Sequence, residues 1–272
     1  MHITTSSLSP RVLGIHNLAL RDYNVVVSDI DYTLVDIGGA HERGIAAMSI
    51  RVGNEIAMEV DAIYHSILSH KRSGDGSQTR TERVYETNLE SFRGLQGITD
   101  GRLPKVWSRE YYIMVAARRR GHEITLRQLE QARDAYWREF LEPTAYHDAL
   151  ELILWLQENR TQLILMTASD SVMRIAGDPQ ACVGAKLTQV VYDPVFSRDY
   201  KKSRFAKIGF AYDNMVIGDP HDKPSQEYFD EVERASFRFT APARMLFIGD
   251  SDSSDLAIPR ERGFDTVLIE RS

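Results

Sequence analysis

Val25-Val26-Val27-Ser28-Asp29-Ile30-Asp31-Tyr32-Thr33-Leu34 is the stretch on which the architecture turns. Three consecutive β-branched residues read as a strand buried on both faces. Two aspartates follow two residues apart, so strand alternation points their side chains the same way. Burying two like charges together is unfavourable unless a cation or a shared proton compensates them. A strand end built in this way predicts a reactive, metal-dependent site.

Working outward, four further segments read as strands: Leu163 to Thr167, Leu187 to Val195, Met245 to Ile248 and Thr266 to Ile269. Helical patterns lie between them. One covers about Asp148 to Asn159, with Leu150, Ile153, Leu154 and Leu156 as its apolar stripe. Another covers about Ser253 to Arg262 and stops at Gly263, a residue suited to the left-handed C′ position. Strands alternating with helices predict an α/β fold with a Rossmann-like parallel sheet, whose sites lie beyond the carboxyl ends of the strands.

Residues 38 to 145 differ in character. Apolar residues recur at helical spacing as Ile45, Met48, Val52, Ile56, Val60, Ile63 and Ile67, with Gly53 as a point of bending. Lys71 to Arg80 is polar and Gly/Ser-rich and reads as a mobile loop. Thr125 and Gln128 form a capping-box pattern that opens a helix carrying Leu126, Leu129, Ala132, Tyr136 and Phe140. The expected organisation is an α/β core of residues 1–37 and 146–272 with an inserted helical domain at 38–145.

Bulk properties narrow the function classes. The chain has 272 residues, enough for one large domain or for a core domain carrying a smaller one, and 43% of them are hydrophobic. A formal net charge of −6 gives no electrostatic footprint for nucleic acid. The single cysteine, Cys182, excludes an intrachain disulfide and fits a reducing compartment. Residues 1 to 20 carry no apolar signal region, and no apolar run approaches the roughly 20 residues that span a bilayer. A cytoplasmic protein without membrane or nucleic-acid partners is the expectation.

Four elements in order resemble the haloacid dehalogenase (HAD) superfamily of phosphotransferases. They are Asp29-Ile30-Asp31-Tyr32-Thr33 (similar to DxDxT), Thr167 after an apolar strand, Lys223-Pro224 with Phe229, and Gly249-Asp250-Ser251-Asp252-Ser253-Ser254-Asp255 (similar to GDxxxxD). The insertion falls where this superfamily places a C1-type cap.

The resemblance implies a Mg²⁺-dependent phosphomonoester hydrolase acting on a small phosphorylated metabolite, with the cap closing over the substrate. Asp29 would be the nucleophile that forms an aspartyl-phosphate. Asp31 would protonate the leaving oxygen and then activate water. Thr167 would donate a hydrogen bond to a phosphoryl oxygen, and Lys223 would balance the carboxylates and contact the phosphoryl group. Mg²⁺ would lie between Asp29, the Asp31 backbone carbonyl and Asp250, supported by Asp255. A phosphomutase on the same core and a non-catalytic binding protein on the same fold are the alternatives. Dehalogenation is disfavoured, because it requires neither a metal nor an acid at Asp31.

Some positions have rivals. Asp252 competes with Asp255, Ser169 neighbours Thr167, and Lys201 and Lys202 compete with Lys223 while reading as solvated surface lysines. Arg118, Arg119 and Arg120 read as complementing a helix carboxyl end. His41, Glu42 and Arg43 read as a solvated first helical turn, and His221 with Asp222 lacks metal-site spacing. The chain departs from the family pattern at Tyr32, a position that is often glycine, and in the long connection from Asp193 to Asp222.

Overall fold

The computed structural model describes residues 2–6, 10–12, 20–72, 106–141, 143–183, 190–236 and 244–271. In chain order its elements are β1 (His2–Ser6), β2 (Pro10–Val12), β3 (Val25–Asp29), β4 (Val35–Asp36), α1 (Ala40–Val52), α2 (Asn54–Arg72), α3 (Arg109–Arg119), α4 (Leu126–Arg138), β5 (Thr144–Ala145), α5 (His147–Glu158), β6 (Gln162–Thr167), β7 (Arg174–Ile175), β8 (Val190–Val191), α6 (Pro194–Phe205), β9 (Asn214–Ile217), α7 (Gln226–Ala235), β10 (Met245–Gly249), α8 (Ala257–Glu261) and β11 (Asp265–Glu270). Two units emerge: Met1–Gly38, Glu142–Ala168 and Ala206–Ser272 form one, and Gly39–Leu141 with Ser169–Phe205 form the other. None of the described helices is long and apolar enough to cross a membrane.

The first unit is an α/β core whose sheet runs β2-β1-β11-β10-β3-β6-β9. The five strands from β11 to β9 are parallel, while β1 and β2 extend the β11 side antiparallel. Every residue of β3, β6 and β10 is buried, as continuous apolar runs in a parallel sheet require. Full burial of each large apolar side chain contributes roughly 1.5–3 kcal/mol. On one face, Val25, Val27, Ile164 and Phe247 pack with Tyr228 and Phe229 of α7.

Strand order fixes where a site can form. From β3 the chain proceeds outward through β6 and β9, then returns to place β10 and β11 on the other side of β3. The order therefore switches between β3 and β10, whose carboxyl ends carry Asp29 and lead into Asp250. Crevices beyond such a switch point are where open α/β sheets bind ligands.

Two expectations for this unit are corrected. The strand expected at Leu187 to Val195 reduces to Val190–Val191, which pairs antiparallel with β7 outside the main sheet; residues 184–189 lie outside the described ones. The edge strand is instead Asn214–Ile217, inside the stretch read as a long connection. In α5 the buried residues are Ala149, Leu152, Ile153 and Leu156, whereas Leu150 and Leu154 are exposed. As expected, Gly263 follows α8 at a φ of 85°.

The second unit is mainly helical. Met48, Ile56, Val60, Ile63 and Ile67 are buried at the expected spacing. Gly53 separates α1 from α2 with a φ of 88°, a left-handed conformation that favours glycine. The Thr125–Gln128 capping box opens α4. From Lys71 to Arg80, the expected loop lies outside the described residues beyond Arg72.

Residues 169–205, expected in the core, group with the helices. Buried polar contacts account for this. Glu110 of α3 accepts a hydrogen bond from the Met173 amide at 3.0 Å, and Arg133 of α4 donates to the Met173 carbonyl at 3.0 Å. Asp170 is held by Lys201 at 2.5 Å and by Arg204 at 3.0 Å, all three buried. Lys201 is thus an internal ion-pair partner rather than a solvated lysine, while Lys202 is exposed.

Candidate functional site

The site begins with the turn that follows β3. The Ile30 carbonyl accepts hydrogen bonds from the amides of Thr33, Leu34 and Val35, at 3.2, 2.8 and 3.1 Å. Closing that turn puts Tyr32 at a φ of 60°, the left-handed region that costs a bulky residue roughly 1–2 kcal/mol. This explains the usual preference for glycine there, and the exposed Tyr32 ring shows how a side chain is accommodated. Arg271 braces the same turn from the end of β11. It donates to the Thr33 carbonyl at 2.5 Å and grips both carboxylate oxygens of Asp148 at 2.8 Å.

Asp29 is buried at the carboxyl end of β3. Its Oδ1 accepts from Lys223 Nζ at 2.5 Å, and its Oδ2 accepts from Thr33 Oγ1 at 3.3 Å. Lys223 lies between β9 and α7, and its Nζ also donates to Asp255 Oδ1 at 2.8 Å. The backbone of Lys223 is set by Asp222, which accepts from its amide at 2.8 Å. Ser225 then caps α7 by accepting from the Tyr228 amide.

Asp255 sits in a π-helical turn, Asp252–Leu256, just after β10. Its Oδ2 accepts from the Ser251 amide at 3.1 Å. Gly249 makes this approach possible, since a Cβ there would lie 2.6 Å from the Asp255 Cβ. Carboxylate oxygens of Asp29, Asp250 and Asp255 all fall within 4.8 Å of one another. Asp29 and Asp255 are buried, and Asp250 is exposed.

Burial and neighbouring charges set the protonation of this cluster. Burial pushes the Asp29 carboxyl up to about 8; the Lys223 charge opposes the shift, and the charges of Asp255 and Asp250 add to it. For Lys223 burial acts downward, but Asp255 and Asp29 hold its proton and set it well above the ordinary lysine value. Asp29, Asp250 and Asp255 converge around the Lys223 ammonium, and a further cation would favour the ionised form of Asp29. Three hard carboxylate donors within 4.8 Å of one another fit a divalent cation such as Mg²⁺.

The other candidates divide clearly. Thr167 is buried at the end of β6, one residue past Met166, the register partner of Asp29. Its carbonyl accepts from the Gly218 amide and the Tyr228 hydroxyl, at 3.0 and 3.3 Å. Asp31 is half-buried and bridges to Val35; its side chain is outside the carboxylate cluster. Asp252 turns to Arg260. Ser169 accepts from the Ser171 amide within the second unit.

Arg119 and Arg120 pair with Glu59 at 2.9 and 3.0 Å. His41 is not a solvated residue: it is almost fully buried and bonded to Tyr136 and Asp61, while Glu42 and Arg43 are exposed. Thr33 stands in the Asp29–Thr33 motif without an expected role of its own, and Arg271 lies outside every motif. A hydroxyl four residues past Asp29 is a usable signal for Thr33; nothing local marks Arg271.

No family model matches the chain, and no curated protein sequence is significantly similar to it. Among solved structures, YfnB from Bacillus subtilis, assigned as a HAD-hydrolase and bound to magnesium, is 17% identical and superposes with a TM-score of 0.51, covering 90% of this chain and 85% of that one. L-2-haloacid dehalogenase from Xanthobacter autotrophicus is 17% identical with a TM-score of 0.49, over 90% of this chain and 76% of that one. A HAD phosphatase from Thermococcus onnurineus is 14% identical with a TM-score of 0.43, over 92% and 87%. With its five-stranded parallel sheet and the YfnB superposition, the chain has the fold of the HAD superfamily.

Proposed function

We propose that the protein is a Mg²⁺-dependent phosphomonoester hydrolase of a small phosphorylated metabolite, working through an aspartyl-phosphate at Asp29. One observation carries the reading: Asp29 lies between Lys223 Nζ and Thr33 Oγ1 within a cluster of three carboxylates. A carboxylate is a weak nucleophile, so such a site works by positioning groups and by neutralising charge.

In the first step an Asp29 oxygen forms a bond to phosphorus as the ester P–O bond breaks. Asp31, two residues on, delivers its proton to the departing alkoxide. In the second step the ionised Asp31 takes a proton from water, whose oxygen attacks the same phosphorus and restores the Asp29 carboxylate. Thr167 donates to a phosphoryl oxygen, and Lys223 supplies a fixed positive charge beside it. Asp29, Asp250, Asp255 and the Asp31 carbonyl would hold Mg²⁺, which supplies charge neutralisation for the transferring phosphoryl group. The helical unit, whose larger part, Gly39–Leu141, falls in the sequence between the first two motif segments, is assigned as a C1-type cap that discriminates substrates.

Phosphate release from a panel of phosphomonoesters, with Mg²⁺ and with chelator, tests this function. Mg²⁺-dependent release supports it. Metal-independent halide release from 2-haloacids, with no phosphate from any ester, would replace it with dehalogenation.

A further inference from the structure

We propose a second metal site, within the helical unit, formed by His41 of α1 with Asp61 and His65 of α2, that takes a borderline divalent cation such as Zn²⁺. Asp61 and His65 stand four residues apart and so share one face of α2. His41 enters from the first turn of α1. Asp61 Oδ1 lies 2.8 Å from His41 Nε2 and 3.3 Å from His65 Nε2, and all three ligand atoms fall within 4.8 Å of one another. Tetrahedral Zn²⁺ with bonds of about 2.0–2.1 Å requires ligand atoms about 3.3 Å apart. Small side-chain adjustments meet that spacing.

The surroundings of His41 are those of an oriented ligand. Its Nδ1 is 2.9 Å from the Tyr136 hydroxyl, and the ring stacks on Tyr64 at 3.9 Å. Arg109 donates to the same Tyr136 oxygen at 2.8 Å, which fixes the phenol. A hydrogen bond at Nδ1 that sets the ring and leaves Nε2 facing the cation is the usual support of a histidine ligand. His65 and Asp61 are 56% and 41% exposed, so an incoming ion and a fourth, solvent-derived ligand have access. Two imidazoles and one carboxylate favour Zn²⁺ or Co²⁺ over Mg²⁺, which prefers oxygen ligands. The site is thus chemically distinct from the three-carboxylate cluster at Asp29.

The test uses the full chain in excess Mg²⁺, which saturates the carboxylate cluster. Zn²⁺ is added in a calorimetric titration, and Co²⁺ is added while the visible spectrum is recorded. One equivalent should bind, with the intense bands of tetrahedral Co²⁺. His65→Ala should weaken binding about 100-fold or more and abolish those bands, and Asp61→Asn should weaken it as well. Circular dichroism verifies that each variant is folded. His147→Ala, at an 88% exposed histidine of the other unit, should change nothing. No Zn²⁺ or Co²⁺ binding by the parent in Mg²⁺, or undiminished binding by folded His65→Ala, overturns the proposal.

Discussion

Lys223 Nζ lies 2.5 Å from Asp29 Oδ1, although 194 residues separate the two in the chain. The contact joins the end of the first parallel strand to the loop ahead of α7, and the same ammonium reaches Asp255 at 2.8 Å. Breaking a buried pair by removing one partner typically costs about 3–5 kcal/mol. Lys223→Met is therefore expected to lower stability by that amount in chelator, measured by urea denaturation. Phosphate release should also fall by about 10²–10³-fold, as for loss of a charge-stabilising donor.

Gly249→Ala places a Cβ 2.6 Å from the Asp255 Cβ. Overpacking of this kind costs about 1–3 kcal/mol, and here the displaced group belongs to the carboxylate cluster. Thermal melts should show the stability loss. Mg²⁺ titration of activity should show a raised metal requirement, whereas an unchanged requirement would separate Gly249 from the site.

Asp250 is the exposed member of the cluster, so Asp250→Asn should fold normally. Its effect is expected on the metal: the Mg²⁺ concentration for half-maximal activity should rise on the order of 10-fold or more. In the parent, saturating Mg²⁺ at about 100 times its dissociation constant should stabilise the fold by about 2.7 kcal/mol. Melts with and without chelator measure both effects.

In the helical unit, Glu59 accepts hydrogen bonds from Arg119 and Arg120. Burial acts to raise its carboxyl, but the two arginines outweigh it and hold it below the usual range. A lowered folded value means that its stabilisation is complete above the ordinary glutamate value of about 4.3 and is lost as pH falls through the folded one. Glu59→Gln should cost about 1 kcal/mol near pH 7, and the difference from the parent should vanish at strongly acid pH. Denaturation of both proteins across that range tests the sign. A difference that grows on acidification would contradict it.

The sequence carried the centre of the fold better than its edges. Strands β3, β6 and β10 are fully buried, so their apolar runs are continuous and easily read. The edge strand β9 was missed because it is short, and Asn214 and Met215 at its start are not buried. Helix α6 escaped notice for a different reason: its buried face includes Lys201 and Arg204, paired with Asp170, so hydrophobic periodicity does not mark it. The same logic makes His41 read as solvated, yet it is buried against Tyr136 and bonded to the partly exposed Asp61. At the candidate site, the family resemblance groups Asp29, Asp31, Thr167, Lys223, Asp250 and Asp255, and the fold brings Asp29, Lys223, Asp250 and Asp255 into one cluster. The brace from Arg271 to the Thr33 carbonyl is a tertiary contact with no local signature.

The central claim, that Asp29 is the nucleophile, is tested most directly by trapping. The protein is quenched during incubation with a phosphomonoester and treated with borohydride, which reduces an acyl phosphate to an alcohol. The peptide containing Asp29 is then read by mass spectrometry. Homoserine in place of Asp29, absent when substrate is omitted, is the predicted result. Turnover with Asp29 unmodified, or with the reduced residue at another carboxylate, would contradict the account.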